Sequence, residues 1–340
     1  MILFILSKST ENGLHASFHG ILISVILTGV ETCKTHVLSV GEKKIIIHRT
    51  FQVPPTKPYQ DLYIYLIRGP VMEDDEGGFG TGYLGNWVED DTSFLFFSEP
   101  CSKIIQQLLK QTPSLVLLDD YHFTYEEWQG GGLEPIRIEP FVITPPWDTN
   151  FEVEAGEIKI LLDPGVVFGT GLHPTTKDCL SALAYLRKHE KFKNVLDLGT
   201  GTGILSLAAG LLDAKGVLAV DLNPLCMKTA RHNVEINHLE NIIRVVKGSA
   251  EDFLDESYDL MIANIHYEVI EKIISSKGLE RIGWVILSGL MRTQARNLKE
   301  RMKECGLTLV YEWDYEMVWY TMLAWNNRAT GRQNVAAIDY

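Results

Sequence analysis

The run VLDLGTGTG, residues 195–203, sets Asp197 two positions ahead of Gly199, Gly201 and Gly203. Glycines spaced in this way let a ligand lie against the main chain where a strand turns into a helix. The spacing G-x-G-x-G differs from the G-x-G-x-x-G of most dinucleotide folds, and an acid so close to the turn repels a pyrophosphate while welcoming an ammonium or sulfonium. Asp221 closes the next apolar run, GVLAVDL, where a carboxylate can accept hydrogen bonds from both hydroxyls of a ribose. A nucleoside ligand with positive charge and no phosphate fits this set, and S-adenosylmethionine has that chemistry. Glu251 or Asp252, in GSAEDF at 248–253, would accept from its adenine amino group, with a solvated loop as the equal alternative.

A second glycine segment, DPGVVFGTGLHPTT at 163–176, precedes these residues. Phe168 would lie against the sulfonium, a cation–π contact of about 1 kcal/mol. Thr175 and Thr176, at the start of a helix, would bond the ligand's carboxylate where free backbone N–H groups favour an anion. Two glycine segments would then serve one zwitterion from two sides. In ANIHYE, residues 263–268, Asn264 offers a carbonyl and an amide to an attacking amine or to the methionine end of the ligand. His266 is the first candidate for a general base and Tyr267 the second, by location. A third glycine run, GGFGTG within residues 73–86, stands among acids and outside any strand-to-helix context, and reads as a loop without chemistry.

The elements that must position these residues alternate regularly after residue 175. TTKDCLSALAYL reads as a helix with a Thr175–Asp178 capping box, NVLDLG as a buried strand and GILSLAAGLL as an apolar helix. GVLAVDL is the next strand, followed by a helix capped by Asn223 with Pro224 first. IRVVKG, YDLMIANI and GWVILSG are further strands, with helices over 267–275 and 292–304, and LTLVYEWDYEMVWYTMLAWNN makes two strands around an acidic turn. The pattern predicts an α/β fold: a Rossmann-like, doubly wound parallel sheet with an antiparallel C-terminal hairpin over 151–326. A smaller α+β domain is expected over 1–127, a Gly- and Pro-rich linker over 128–150 and a disordered tail over 327–340.

The formal net charge of −13 over 340 residues argues against a nucleic-acid partner and for a basic protein or a small molecule. Cys33, Cys101, Cys179, Cys226 and Cys305 are far apart, which predicts free thiols and no metal site. No apolar run is long enough for a membrane span and the opening residues lack signal-peptide character, so a cytoplasmic protein is expected.

LDPGVVFGTGLHPTT, LDLGTGTGILSLAA, VDLNP, ANI and LSGLM, in this order and spacing, resemble the PrmA family, which methylates protein eleven of the large ribosomal subunit. WQGGGLEPIRIEPFVITPPW resembles that family's linker, and the likeness runs over about residues 121–325. It implies a class I methyltransferase fold, S-adenosylmethionine as cofactor, contacts to it from Thr176, Gly199, Asp221 and Asn264, and a basic ribosomal-protein substrate methylated on an amine, a lysine side chain or an α-amino group. His266 and Tyr267 depart from the small or aliphatic residues usual after ANI, and the first 120 residues are longer and less regular than the family's recognition domain. The competing readings are a class I methyltransferase acting on another protein or a small molecule, a non-catalytic binding module, and an NAD-dependent oxidoreductase. Asp197 and the glycine spacing disfavour the last.

Overall fold

The computed structural model describes residues 59–71, 78–89, 91–129, 134–148 and 151–329, together with five strands between residues 15 and 49. Two compact units divide at Thr56/Lys57. In the first, β1 (His15–Phe18) pairs antiparallel with β2 (Ile21–Ser24), and β3 (Thr28–Val30), β4 (Cys33–Val40) and β5 (Lys43–Arg49) form an antiparallel sheet with β4 central.

The second unit opens with β6 (Asp61–Arg68), β7 (Tyr83–Glu89), β8 (Thr92–Phe97), α1 (Ser102–Gln111) and β9 (Val116–Thr124), an antiparallel sheet in the order β7-β8-β6-β9. Side chains alternate across a strand, and β6 uses both faces. Tyr65 and Ile67 join Leu95, Phe97, Ile105 and Leu108 in a core beneath α1. Leu62 and Ile64 join Phe96 and bury instead against Val166, Val167, Leu225 and Cys226, on the side of the large sheet described below. The glycine-rich run over 73–86 enters β7 at Tyr83, so its second part is strand rather than loop; residues 72–77 lie outside the described residues.

After the short helix α2 (Tyr125–Trp128) come β10 (Ile136–Ile138), β11 (Phe141–Thr144) and β12 (Ile158–Leu161) in one small sheet. The linker expected over 128–150 is therefore partly sheet. Its prolines stand outside the strands, at Pro135, Pro140, Pro145 and Pro146, which leaves IRI and FVIT free to pair, and all four residues of β11 are buried.

The large sheet gathers β13 (Asn194–Leu198), β14 (Gly216–Asp221), β15 (Ile243–Lys247), β16 (Tyr258–Asn264), β17 (Ile282–Met291), β18 (Leu307–Tyr315) and β19 (Trp319–Asn326). Their order is β15-β14-β13-β16-β17-β19-β18, parallel except for β19, which runs antiparallel to both neighbours. The helices are α3 (Pro174–His189), α4 (Ile204–Leu211), α5 (Pro224–Ile236), α6 (Tyr267–Ser275) and α7 (Arg292–Cys305). Val195, Ala219, Ile262 and Ile286 pack with α3 and α4, while Leu196, Met261, Val285 and Leu287 pack with α6 and α7. Burial on both faces explains why these strands read as unbroken apolar runs. The doubly wound fold with its C-terminal hairpin is as expected. Residues 327–329 of the expected tail are held by Asn327 Nδ2 donating to Thr308 Oγ1 at 2.6 Å and by Arg328 donating to the Glu304 carbonyl at 2.8 Å. Residues 330–340 lie outside the described residues.

Candidate cofactor site at the sheet's switch point

Strand order reverses between β13 and its neighbours β14 and β16, and in such sheets the crevice at the strands' carboxyl ends holds the ligand. The glycine turn leaves β13 there. A Cβ on Gly199 would collide with the Ile265 side chain, and one on Gly201 would stand 2.6 Å from the Phe168 carbonyl oxygen; both residues have positive φ. Asp221, at the end of β14, braces the turn: its Oδ2 accepts from the Gly201 N–H at 3.0 Å and its Oδ1 from the Asn223 N–H at 2.9 Å.

Asp197 has a different place from the one its charge suggested. It is buried, and its Oδ2 accepts from Thr200 Oγ1 and Ser206 Oγ, each at 2.6 Å. Burial pushes its carboxyl up to about 6, against which the two hydroxyls pull down. It therefore ties the turn to α4 from beneath, which replaces the expected direct contact with a ligand cation.

The two glycine segments are bonded to one another. Thr202 donates its N–H to the Phe168 carbonyl at 3.1 Å and its hydroxyl to the Gly169 carbonyl at 2.7 Å. The Phe168 ring above them is 54% exposed and meets His173 edge-on, centroids 5.4 Å apart. His173, rather than Thr175, is the N-cap of α3, with Pro174 at its first position, so the capping box expected at Thr175–Asp178 is not formed. Histidine Nδ1 meets Thr175 Oγ1 at 2.8 Å. Thr175 and Thr176 are buried one step inside the helix, and Thr176 Oγ1 is a buried hydroxyl without a partner. That orphaned oxygen stands in the first turn of α3.

Asn264 ends β16 opposite Ser288 of β17, half-buried, and its Oδ1 would stand 3.2 Å from a Cβ on Gly289. His266 is the exposed N-cap of α6. Tyr267 turns away: its hydroxyl donates to Glu271 Oε1 at 2.7 Å, which also accepts from Arg301 of α7 at 3.1 Å. Burial and that carboxylate push the phenol up to about 12. Tyr267 thus belongs to the packing of α6 on α7 and is withdrawn from the expected proton-transfer role. Glu251 and Asp252 sit on a short 3-10 turn, Ala250–Phe253, where both bond Ser249, and Glu251 lies 3.8 Å from Lys272.

Sequence reasoning missed what anchors the glycine segment 163–176, which is bonded over the glycine turn as a lid through Phe168 and Gly169. Asp163 Oδ1 accepts from Tyr125 at 3.0 Å and from the Gly165 N–H at 3.0 Å, and Asn233 of α5 bonds both the Asp163 main chain and the Thr202 carbonyl at 2.9 Å. Tyr59 and Gln129 both donate to the Gly165 carbonyl, at 3.0 and 2.7 Å. The segment's partners come from just before β6, from α2 and its cap, and from α5, about which local spacing is silent.

The model of the ribosomal protein L11 methyltransferase (PrmA) family matches residues 100–326. The chain belongs to this family. The ribosomal protein L11 methyltransferases of Anoxybacillus flavithermus and Bacillus subtilis are 39% and 38% identical to it over 190 and 192 residues. These matches cover 54% of the chain and 60% and 61% of those relatives, so the chain spans less than two thirds of the curated relatives it matches. The crystal structure of ribosomal protein L11 methylase from Lactobacillus delbrueckii subsp. bulgaricus aligns with a TM-score of 0.51 at 29% identity, covering 56% of this chain and 98% of that one. The PrmA match overlies every residue of the crevice described above, from Phe168 to Asn264.

Proposed function

We propose that this chain is an S-adenosylmethionine-dependent protein methyltransferase that methylates an amine, a lysine side chain or an α-amino group, of protein L11 of the large ribosomal subunit. The observation that carries this reading is the joint made by the two glycine segments at the switch point, with the Phe168 carbonyl closed on Gly201 where a Cβ would not fit. Family membership supports it.

Asp221 would hold the ribose hydroxyls, since each of its oxygens keeps a lone pair after bracing the turn. Thr176, Gly199 and Gly201 would line the methionine side, and the exposed Phe168 face would lie against positive charge. When bound, the cofactor supplies a methyl group made electrophilic by its sulfonium. Asn264 would orient the acceptor amine through its amide. A lysine amine, with a reference pKa of about 10.4, must be neutral to attack, and burial in the crevice lowers that value. His266, exposed at the rim, remains the candidate to receive the proton.

No helix among the described residues is long and apolar enough to cross a membrane, and Cys101, Cys179, Cys226 and Cys305 are free thiols, which fits a reducing cytoplasmic setting. The test is incubation of the chain with S-adenosylmethionine and purified L11, followed by intact-protein mass spectrometry. Added methyl masses on lysine or the α-amino group are expected. An unmodified protein under conditions where the cofactor binds would move the acceptor to another protein or a small molecule.

A further inference from the structure

The β18–β19 hairpin has surface chemistry that the cofactor site does not use. Because β19 runs antiparallel to β17, with Trp319 opposite Met291, the hairpin's tip stands at the same edge of the sheet as the carboxyl ends of the parallel strands. Trp319 meets His173 edge-on at 5.2 Å, and His173 meets Phe168 at 5.4 Å. An aromatic line therefore joins the lid over the glycine turn to the turn end of the hairpin. Beyond it the tip is exposed: Tyr315 to 47%, Met317 to 62% and Val318 to 50%, with Met291 beside them at 55%.

Single exposed apolar residues are ordinary, but three within four positions next to a fourth make a patch. The tip also carries two exposed carboxylates, Asp314 and Glu316. Its turn is a tight one, Val318 N–H to the Tyr315 carbonyl at 2.9 Å, with Glu316 and Met317 both left-handed at φ 52° and 56°. Asn-Gly suits that turn far better, because a left-handed conformation costs an ordinary L residue about 1–2 kcal/mol. The chain keeps a long acid and a long thioether where a small residue would be more stable. Asp314 Oδ1 offsets part of that cost by accepting from the Met317 N–H at 3.1 Å, and the Glu316 and Met317 side chains stand open to solvent.

We propose that the hairpin tip, residues 314–318, is a docking surface for the acceptor protein, gripping a basic, lysine-bearing segment between its exposed apolar side chains and its two carboxylates. The occupant follows from charge complementarity and from continuity with the crevice: a segment held there leads a lysine past Phe168 toward the glycine turn. Asp178 of α3, which feels the charge of Asp314, ties the same acidic field to the lid's helix. The proposal rests on the methyltransferase reading above and adds a surface that holds the acceptor next to the crevice.

The test is calorimetric titration of the full chain with purified L11, once for the parent and once for the double variant Glu316→Asn, Met317→Gly. That pair suits the turn, so the variant is expected to melt at or above the parent temperature and to bind S-adenosylmethionine with parental affinity. Its affinity for L11 is expected to fall about tenfold or more. Glu316→Lys is expected to weaken L11 binding too, most at low salt. A folded double variant with parental L11 affinity overturns the docking surface alone. A parent that binds the cofactor but not L11 overturns both the docking surface and the L11 reading, and loss of self-association in the variant with L11 affinity unchanged assigns the patch to a second copy of the chain.

Discussion

Tyr267 and Asp178 both stand in surroundings that raise them above their ordinary values, Tyr267 through burial and Glu271, Asp178 through burial and Asp314. Tyr267 donates to Glu271, and its phenol is held near 12. Tyr267→Phe is therefore expected to leave kcat and its pH profile unchanged and to cost about 1 kcal/mol in stability. A large fall in kcat at constant Tm would return the phenol to the reaction. Asp178 is pushed from 3.8 up to about 6, by burial first and by Asp314 second, and its Oδ2 is buried without a partner. A carboxyl raised on folding makes the folded state hold a proton that the unfolded chain has lost, so stability declines as pH rises from about 4 to about 6 and stays lower above. Asp178→Asn is expected to raise Tm at pH 7.5, by about 1 kcal/mol of stability, with a smaller difference at pH 5. An equal or larger difference at pH 5 would reject this electrostatic account. The glycines, Asp221 and Asn264 were legible because each sits at a strand end that the apolar pattern marks. The role of Asp197 was not, since a carboxylate facing into α4 depends on hydroxyls at Thr200 and Ser206 that only the folded turn brings to it.

At the scale of elements, the regular alternation after residue 175 carried nearly all of the large sheet, including α6 over 267–275. The segments read least well were those with Gly and Pro, because these residues mark where an element ends without saying how short the next one is. The strands β10 and β11, of three and four residues, fall below any useful period, yet β11 is wholly buried. The lid is the element that joins the glycine turn to the residues around the smaller sheet. Its stem, residues 163–167, is gripped by Tyr59, Tyr125 and Gln129 from the small sheet's side. Tyr125→Phe removes the bond to Asp163 and is expected to cost about 1 kcal/mol, and hydrogen exchange should quicken over residues 165–171 while the large sheet's core stays protected. Uniform loss of protection across the chain would mean that Tyr125 supports the fold and not the lid in particular.

For the molecule as a whole, the sheet of β6–β9 is one body with the catalytic-type half in its packing, through Leu62, Ile64 and Phe96 against Val166, Val167 and Leu225. Its position beside the lid gives the smaller sheet a second part to play besides any contact with a substrate, since the same face that completes its core also steadies Asp163 and Gly165. The acidic surface, net −13, suits a basic partner over the whole body and not at the hairpin alone. The central claim is that the crevice at the switch point binds S-adenosylmethionine, and calorimetric titration of the full chain tests it most directly, with NAD and an Asp221→Ala variant alongside. Binding of one S-adenosylmethionine per chain, no heat with NAD and loss of binding in the variant are predicted; a parent that leaves S-adenosylmethionine unbound, or takes NAD in its place, would contradict the account.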